Sequence, residues 1–319
     1  MGWVRAAPLL FLPLVGLSAP AAAAGSSPRA MDAPFDAARF KATDAYAAIL
    51  EQLARPDPAV PGVTAGAADL DALLTRVEIE PRYLSWIRKY VSPVSRRKQR
   101  KRVRSVMHIL LSKSRVKKGR AFARTHRQVL DRVSEAYDVS VADLVSMMNV
   151  ESRFGEVQGS YAVAVVFVAH IAYLHAAEEE TFAQGNYGLE GAMARAANRR
   201  RVDKRWRYSI RNLATVIKYA RSRKLDPLSL TGSWAGAIGI TQFMPASLRW
   251  AKDGDGDGRV NLSVVADAVA STANYLVVHG YRRGDLAARK KAFTAYNANR
   301  EYVKAIVAYA ERFEALEAR

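Results

Sequence analysis

The 319-residue chain contains no cysteine. That absence excludes disulfides, thiol catalysis, Cys-ligated zinc and a lipid-carrying N-terminal cysteine. Long apolar runs are missing too, since a helix needs about twenty such residues to span a bilayer and no stretch supplies them. Acidic residues are absent from one region. Between Pro81 and Leu130 there is no Asp or Glu, while Lys and Arg crowd Arg96–Arg104 and Lys113–Arg127. The formal charge of +19 points to an anionic partner, whether cell-wall polymer, nucleic acid or membrane surface. Nucleic acid is disfavoured, because the basic region has no interleaved aromatics, RNP-like motif or metal-finger spacing.

What is present begins with an export pattern. Arg5 supplies a positive start, Ala6–Leu17 a short apolar core and Ala22–Ala24 a small-residue cleavage site. The expectation is cleavage near Ala24 and a mature protein outside the cytoplasm. Residues Gly25–Gly66 are rich in Ala, Pro, Gly and Asp and read as a linker or extension. One short helix is expected there, docking through Phe35, Phe40, Tyr46 and Leu50. Ala67–Arg127 reads as a basic helical subdomain, and Gln128–Arg319 as the main domain. Phe122–Tyr137 continues a helix across that boundary, Tyr161–Ala177 fits a buried helix, and Gly185–Asp203, ending in Arg199–Arg201, reads as a solvated loop.

The stretch SVADLVSMMNVESRFG, Ser140–Gly155, carries the first candidate chemistry. Ser140 and Asp143 have the spacing of a reciprocal helix cap. Leu144, Met147, Met148 and Glu151 share one helical face, and Gly155 can end the helix. A carboxyl against apolar neighbours loses solvation of its charged form, so its pKa rises toward the range of a general acid.

The second half of the site lies in GSWAGAIGITQFMP, Gly232–Pro245. Its Gly and Ala residues let another group approach the backbone closely, and Gln242 can both donate to and accept from sugar hydroxyl or acetamide groups. Asp253–Asp267, DGDGDGRVNLSVVAD, is more specific. Asp253, Asp255 and Asp257 take positions one, three and five of an EF-hand-like loop, Gly258 the turn, and Arg259 can offer its carbonyl. Val264 stands where the bidentate Glu belongs, so Asp267 has to reach back from a longer loop. Adjacent carboxylates repel unless a cation neutralises them, which makes structural Ca²⁺ the expected ion.

ESRFG at Glu151, GSWAGAIGITQFMP, the Asp-rich loop, ANYL at Ala273–Leu276 and AYN at Ala295–Asn297 follow in one order. That order resembles the membrane-bound lytic transglycosylase B family, over roughly Leu111–Ala310. The resemblance implies a mainly α fold: a lysozyme-like helical catalytic core, a helical N-terminal subdomain and a small EF-hand-like metal loop. It implies peptidoglycan glycan strands as substrate, with the MurNAc–GlcNAc β-1,4 bond cleaved without water to give a 1,6-anhydro product. Glu151 would be the single general acid and base. Ser233 and Gln242 would bind acetamide and sugar, while Tyr275, Tyr296 and Asn297 would line the groove. Asp253, Asp255, Asp257, the Arg259 carbonyl and Asp267 would hold Ca²⁺. With no cysteine to lipidate, the expected form is soluble and periplasmic. A lysozyme-type hydrolase and a non-catalytic wall-binding scaffold are the competing readings.

Overall fold

The computed structural model describes residue 31, residues 34–185, residue 187 and residues 191–318, with backbone alone at 99–107 and 191–193. The expected export signal, residues 1–24, lies outside the described residues. So does the start of the extension. Among the described residues the structure is mainly helical, and no helix is long and apolar enough to cross a membrane.

The first four helices are α1 (Ala37–Lys41), α2 (Asp44–Ala54), α3 (Ala67–Leu74) and α4 (Pro81–Val91). Asp36 caps α1 by accepting from the Ala38 and Arg39 N–H groups. Pro81 starts α4, where its fixed φ suits a helix and its missing N–H is no loss. The stretch with linker composition is folded from residue 34 onward. Phe40, Ile49 and Leu53 are buried in a hydrophobic cluster, with Phe35, Tyr46 and Leu50 packed against it. The buried Lys218 ammonium donates to the carbonyls of Gln52 and Arg55, which the end of α2 leaves without helical partners.

After α5 (Pro93–Leu110) come α6 (Lys113–Thr125), α7 (Arg127–Tyr137) and α8 (Val141–Ser152). The continuous helix expected over Phe122–Tyr137 is therefore two, separated at His126, which leaves helical geometry at φ −111° and ψ 24°. Next are strand β1 (Tyr161–Ala162), helices α9 (Val163–Ala183) and α10 (Gly191–Arg223), and strand β2 (Thr231–Gly232). The strands pair antiparallel, Tyr161 opposite Gly232 and Ala162 opposite Thr231. Every residue from Val163 to Ile171 is buried, as a helix apolar on all sides requires.

The Arg199–Arg201 run is not a loop. It lies within α10, where Arg199 pairs with Glu178 and Glu179 of α9, and Arg201 donates to the Tyr90 carbonyl. Acidic partners on the neighbouring helix, distant in sequence, make a polar helix stable there. The chain closes with α11 (Val265–Val278), α12 (Leu286–Tyr296) and α13 (Arg300–Glu317).

Two hydrophobic clusters organise these elements. One gathers α1–α4, α9, α10 and most of the Gly232–Leu248 segment. The other gathers α6–α8 and α11–α13, together with Leu110 and Ile240. The division expected between Arg127 and Gln128 falls inside the second cluster, because α6, α7 and α8 share its apolar interior.

Candidate active site

Helix α8 carries the acid. Its residues Ala142 through Ser152 are all buried, so the helix has no solvent face and the single apolar stripe read from sequence is only part of its surface. Each buried polar side chain on it is therefore partnered. Ser146 donates to the Ile306 carbonyl at 2.8 Å, and Asn149 donates to the Leu110 carbonyl at 3.2 Å. Asn149 also accepts from Arg115 Nε at 3.2 Å.

The reciprocal cap is half formed. Ser140 Oγ accepts from the Asp143 N–H at 3.1 Å. Asp143, fully buried, turns away from the helix start: it takes a bidentate pair from Arg289 at 2.7 and 2.8 Å and a bond from the Tyr281 hydroxyl at 2.6 Å. A charged fork satisfies a buried carboxylate better than one backbone N–H can. Termination also differs from expectation. The helix stops at Ser152, and Arg153, Phe154 and Gly155 follow with φ of 55°, 65° and 90°. Left-handed backbone at two non-glycine residues is strained, and such strain gathers at functional sites.

Glu151, one residue before the end of α8, is 2 % exposed. Burial raises its pKa to about 8, and the hydrogen bond it accepts from the Tyr302 hydroxyl opposes that rise. No neighbouring carboxylate among the described residues contributes to the shift. The Tyr302 hydroxyl donates to Oε1. At pH 7 a carboxyl of this pKa is mostly protonated. It is a proton donor first.

Tyr302 was not legible as a site residue from sequence. It stands in the first turn of α13, after the Asn299 cap, and looks like one more apolar-face position. Its own pKa is raised far by burial and then by the charge of Glu151. Tyr296 lies close enough for Glu151 to influence it as well, after burial.

Of the residues expected to line a groove, Tyr275 is buried among aromatic rings, 4.7 Å from Tyr296 and 4.0 Å from His279, and its hydroxyl donates to the Ala295 carbonyl. Tyr296, partly exposed, donates to the Thr241 carbonyl. Asn297 is buried at the end of α12 and accepts from the Asn299 N–H. Tyr296 ties the Gly232–Leu248 segment to α12, and Phe243 of that segment packs against Tyr275 and Tyr296 at 5.6 and 5.7 Å. Ser233 is half-buried and accepts from the Ala237 N–H at 3.1 Å, while Trp234 beside it stacks on Trp86 at 4.6 Å.

Gln242 has a left-handed backbone, φ 51°, and its amide donates to the Gly239 and Gln158 carbonyls. Gly236 cannot be larger: a Cβ there would sit 2.3 Å from the Phe167 ring.

In the acidic loop, carboxylate oxygens of Asp253, Asp255 and Asp267 lie within 4.8 Å of one another. Asp267 is buried in the first turn of α11 and reaches back, accepting from Gly254 N–H at 2.7 Å and Asn261 N–H at 2.6 Å. Asp257 is not in that group of three; its Oδ1 accepts from the Arg259 N–H at 2.7 Å. An all-oxygen donor set on an exposed turn fits a hard cation such as Ca²⁺.

Gly155, four residues after Glu151, lies against the glycine-rich segment, where a Cβ on it would stand 3.3 Å from the Ile240 side chain. The family profile described as Transglycosylase SLT domain matches residues 63–311, and the chain belongs to that family. Membrane-bound lytic murein transglycosylase B of Escherichia coli (strain K12) is 33% identical over 171 residues, 53% of this chain and 40% of that protein. The match thus spans less than half the length of this relative. Two solved structures share the fold. The Escherichia coli lytic transglycosylase SLT35 in complex with calcium has TM-score 0.61 at 20% identity, over 79% of this chain and 88% of that one. SltB3 from Pseudomonas aeruginosa, in complex with NAG-anhNAM-pentapeptide, has TM-score 0.61 at 21% identity, over 85% and 78%. The fold is the mainly helical, lysozyme-like one of these lytic transglycosylases.

Proposed function

We propose that the chain is a peptidoglycan lytic transglycosylase, cleaving the MurNAc–GlcNAc β-1,4 bond with formation of 1,6-anhydroMurNAc. The observation that carries this reading is Glu151: buried, its pKa raised by that burial, and with no second carboxylate beside it among the described residues. Paired-carboxylate glycosidases need a second acid as nucleophile or base. A reaction in which the substrate supplies its own nucleophile does not.

In the proposed sequence the Glu151 carboxyl gives its proton to the glycosidic oxygen as the C1–O bond breaks. The MurNAc acetamide oxygen meets the positive charge at C1. The Glu151 carboxylate then takes the proton from the C6 hydroxyl, whose oxygen bonds to C1. The proton lost in the first half returns in the second. Tyr302 holds Oε1 throughout and stabilises the carboxylate between the two transfers. Ser233 and Gln242 bind acetamide and sugar, and Tyr275, Tyr296 and Asn297 form the wall behind them. Asp253, Asp255 and Asp267, with Asp257 and the Arg259 carbonyl, would hold Ca²⁺, which neutralises the loop. The basic 67–127 region suits an anionic wall polymer, and export to the periplasm would place the protein with that substrate.

The test is mass spectrometry of material released from purified peptidoglycan by wild type and Glu151→Gln. Non-reducing anhydro-muropeptides from wild type alone are expected. Reducing-end products would indicate a hydrolase, and binding without release a scaffold.

A further inference from the structure

The seven residues after α8 connect three parts of the site that the chain keeps far apart. Gln158 is their meeting point. Its side-chain amide donates to the Gly155 carbonyl at 3.3 Å, bracing the strained turn that follows Glu151. Its side-chain oxygen accepts from Ser263 Oγ of the acidic loop at 2.9 Å. Its backbone carbonyl accepts from the Gln242 amide at 3.2 Å.

Two neighbouring contacts close the same junction. Gly159, at φ 94°, packs so tightly on the Gly232–Ser233 backbone that a Cβ would lie 2.2 Å from the Gly232 carbonyl oxygen. The Ile240 N–H donates to the Leu262 carbonyl at 2.8 Å, joining the glycine-rich segment to the exit of the acidic loop.

We infer that Gln158 is a positioning residue: through its bonds to Gly155 and Ser263 it sets where its own carbonyl stands, and so aims the Gln242 amide toward a bound sugar. Gln242 has a left-handed backbone and its amide is held by two carbonyls, so its orientation depends on where those carbonyls stand. Without the side chain of Gln158, one of the two is released to move with the turn. The inference rests on the reading of Gln242 as a sugar-binding group.

The decisive experiment measures binding apart from turnover. Titration calorimetry with a soluble GlcNAc–MurNAc tetrasaccharide compares Glu151→Gln with Glu151→Gln carrying Gln158→Leu, Ser263→Ala or both. Gln158→Leu removes both side-chain bonds at nearly constant volume and should weaken binding about tenfold, the equivalent of one or two hydrogen bonds. Ser263→Ala should weaken it less, and the double variant no more than Gln158→Leu alone, since both changes break the same link. Gln158→Glu, which keeps the acceptor for Ser263, should restore part of the loss. In the otherwise wild-type enzyme Gln158→Leu should raise KM with kcat within about twofold and the pH profile unmoved.

Unchanged affinity in Gln158→Leu, additive losses in the double variant, or a lower kcat at constant KM would each overturn the inference. Absence of binding by Glu151→Gln itself would also overturn it. If binding and its Gln158 dependence persist while wild type releases no product, the transglycosylase reading fails and the inference stands.

Discussion

Replacing Glu151 by Gln tests the central claim by a route independent of turnover. The carboxyl titrates near 4.5 when unperturbed and near 8 in the folded chain, because burial disfavours its charge. Between those values the folded state binds a proton that the unfolded state has released. Stability therefore falls as pH rises through that window, and is level below and above it. At about 1.36 kcal/mol per unit, the accumulated loss is on the order of 5 kcal/mol. Gln cannot ionise, nearly matches the shape and still accepts from Tyr302. The variant should match wild type within about 1 kcal/mol near pH 4 and exceed it by several kcal/mol at pH 8.5. Urea denaturation at four or five pH values supplies the comparison, read as the difference between the two proteins. Other titrating groups, including the buried His170, are common to both and cancel. A difference that stays flat with pH would refute the reasoning, since the acid would then not be held neutral.

Tyr302→Phe removes the bond that holds the Glu151 pKa down, so the alkaline limb of the pH–rate profile should move upward. The proton-return half should slow as well, and kcat should fall about tenfold to a hundredfold. Asp143→Asn leaves the Arg289 guanidinium facing a neutral amide in a buried site. Breaking such a pair costs about 3–5 kcal/mol, visible in the denaturation midpoint with binding of the tetrasaccharide retained at low temperature. Calcium at a hundred times its dissociation constant should stabilise the protein by about 2.7 kcal/mol. EDTA should reverse the gain, and Asp267→Ala should abolish it in a thermal-shift assay.

Local patterns in the chain carried much of the helical architecture and the burial of Glu151. Glu151 stood out because apolar residues at helical spacing preceded it, and burial is what those neighbours enforce. Tyr302 did not stand out, because the bond that matters crosses 151 positions and a tyrosine on an apolar helix face carries no mark of it. Asp143 looked like a cap from three residues away. Its actual partner, Arg289, lies 146 positions on, and a bidentate ion pair in a buried site outcompetes a local N–H. The Arg199–Arg201 helix was hidden for the same reason, since Glu178 and Glu179 belong to another helix. At 34–66 the expected single short helix is two, α1 and α2, seated by the large apolar residues read from sequence. Helical apolar spacing read well; long-range polar pairing did not.

The two interiors are not successive lengths of chain. The backbone runs from the first to the second along α5, returns through the turn after Ser152, and crosses again by way of the acidic loop. A hinge between them would have to flex three tethers at once, and two of those tethers bear the acid's turn and the candidate cation loop. Relative motion of the two interiors is therefore restrained at all three tethers. No cut at a single peptide bond, whether by protease or by gene truncation, could release one half as an independently folding body.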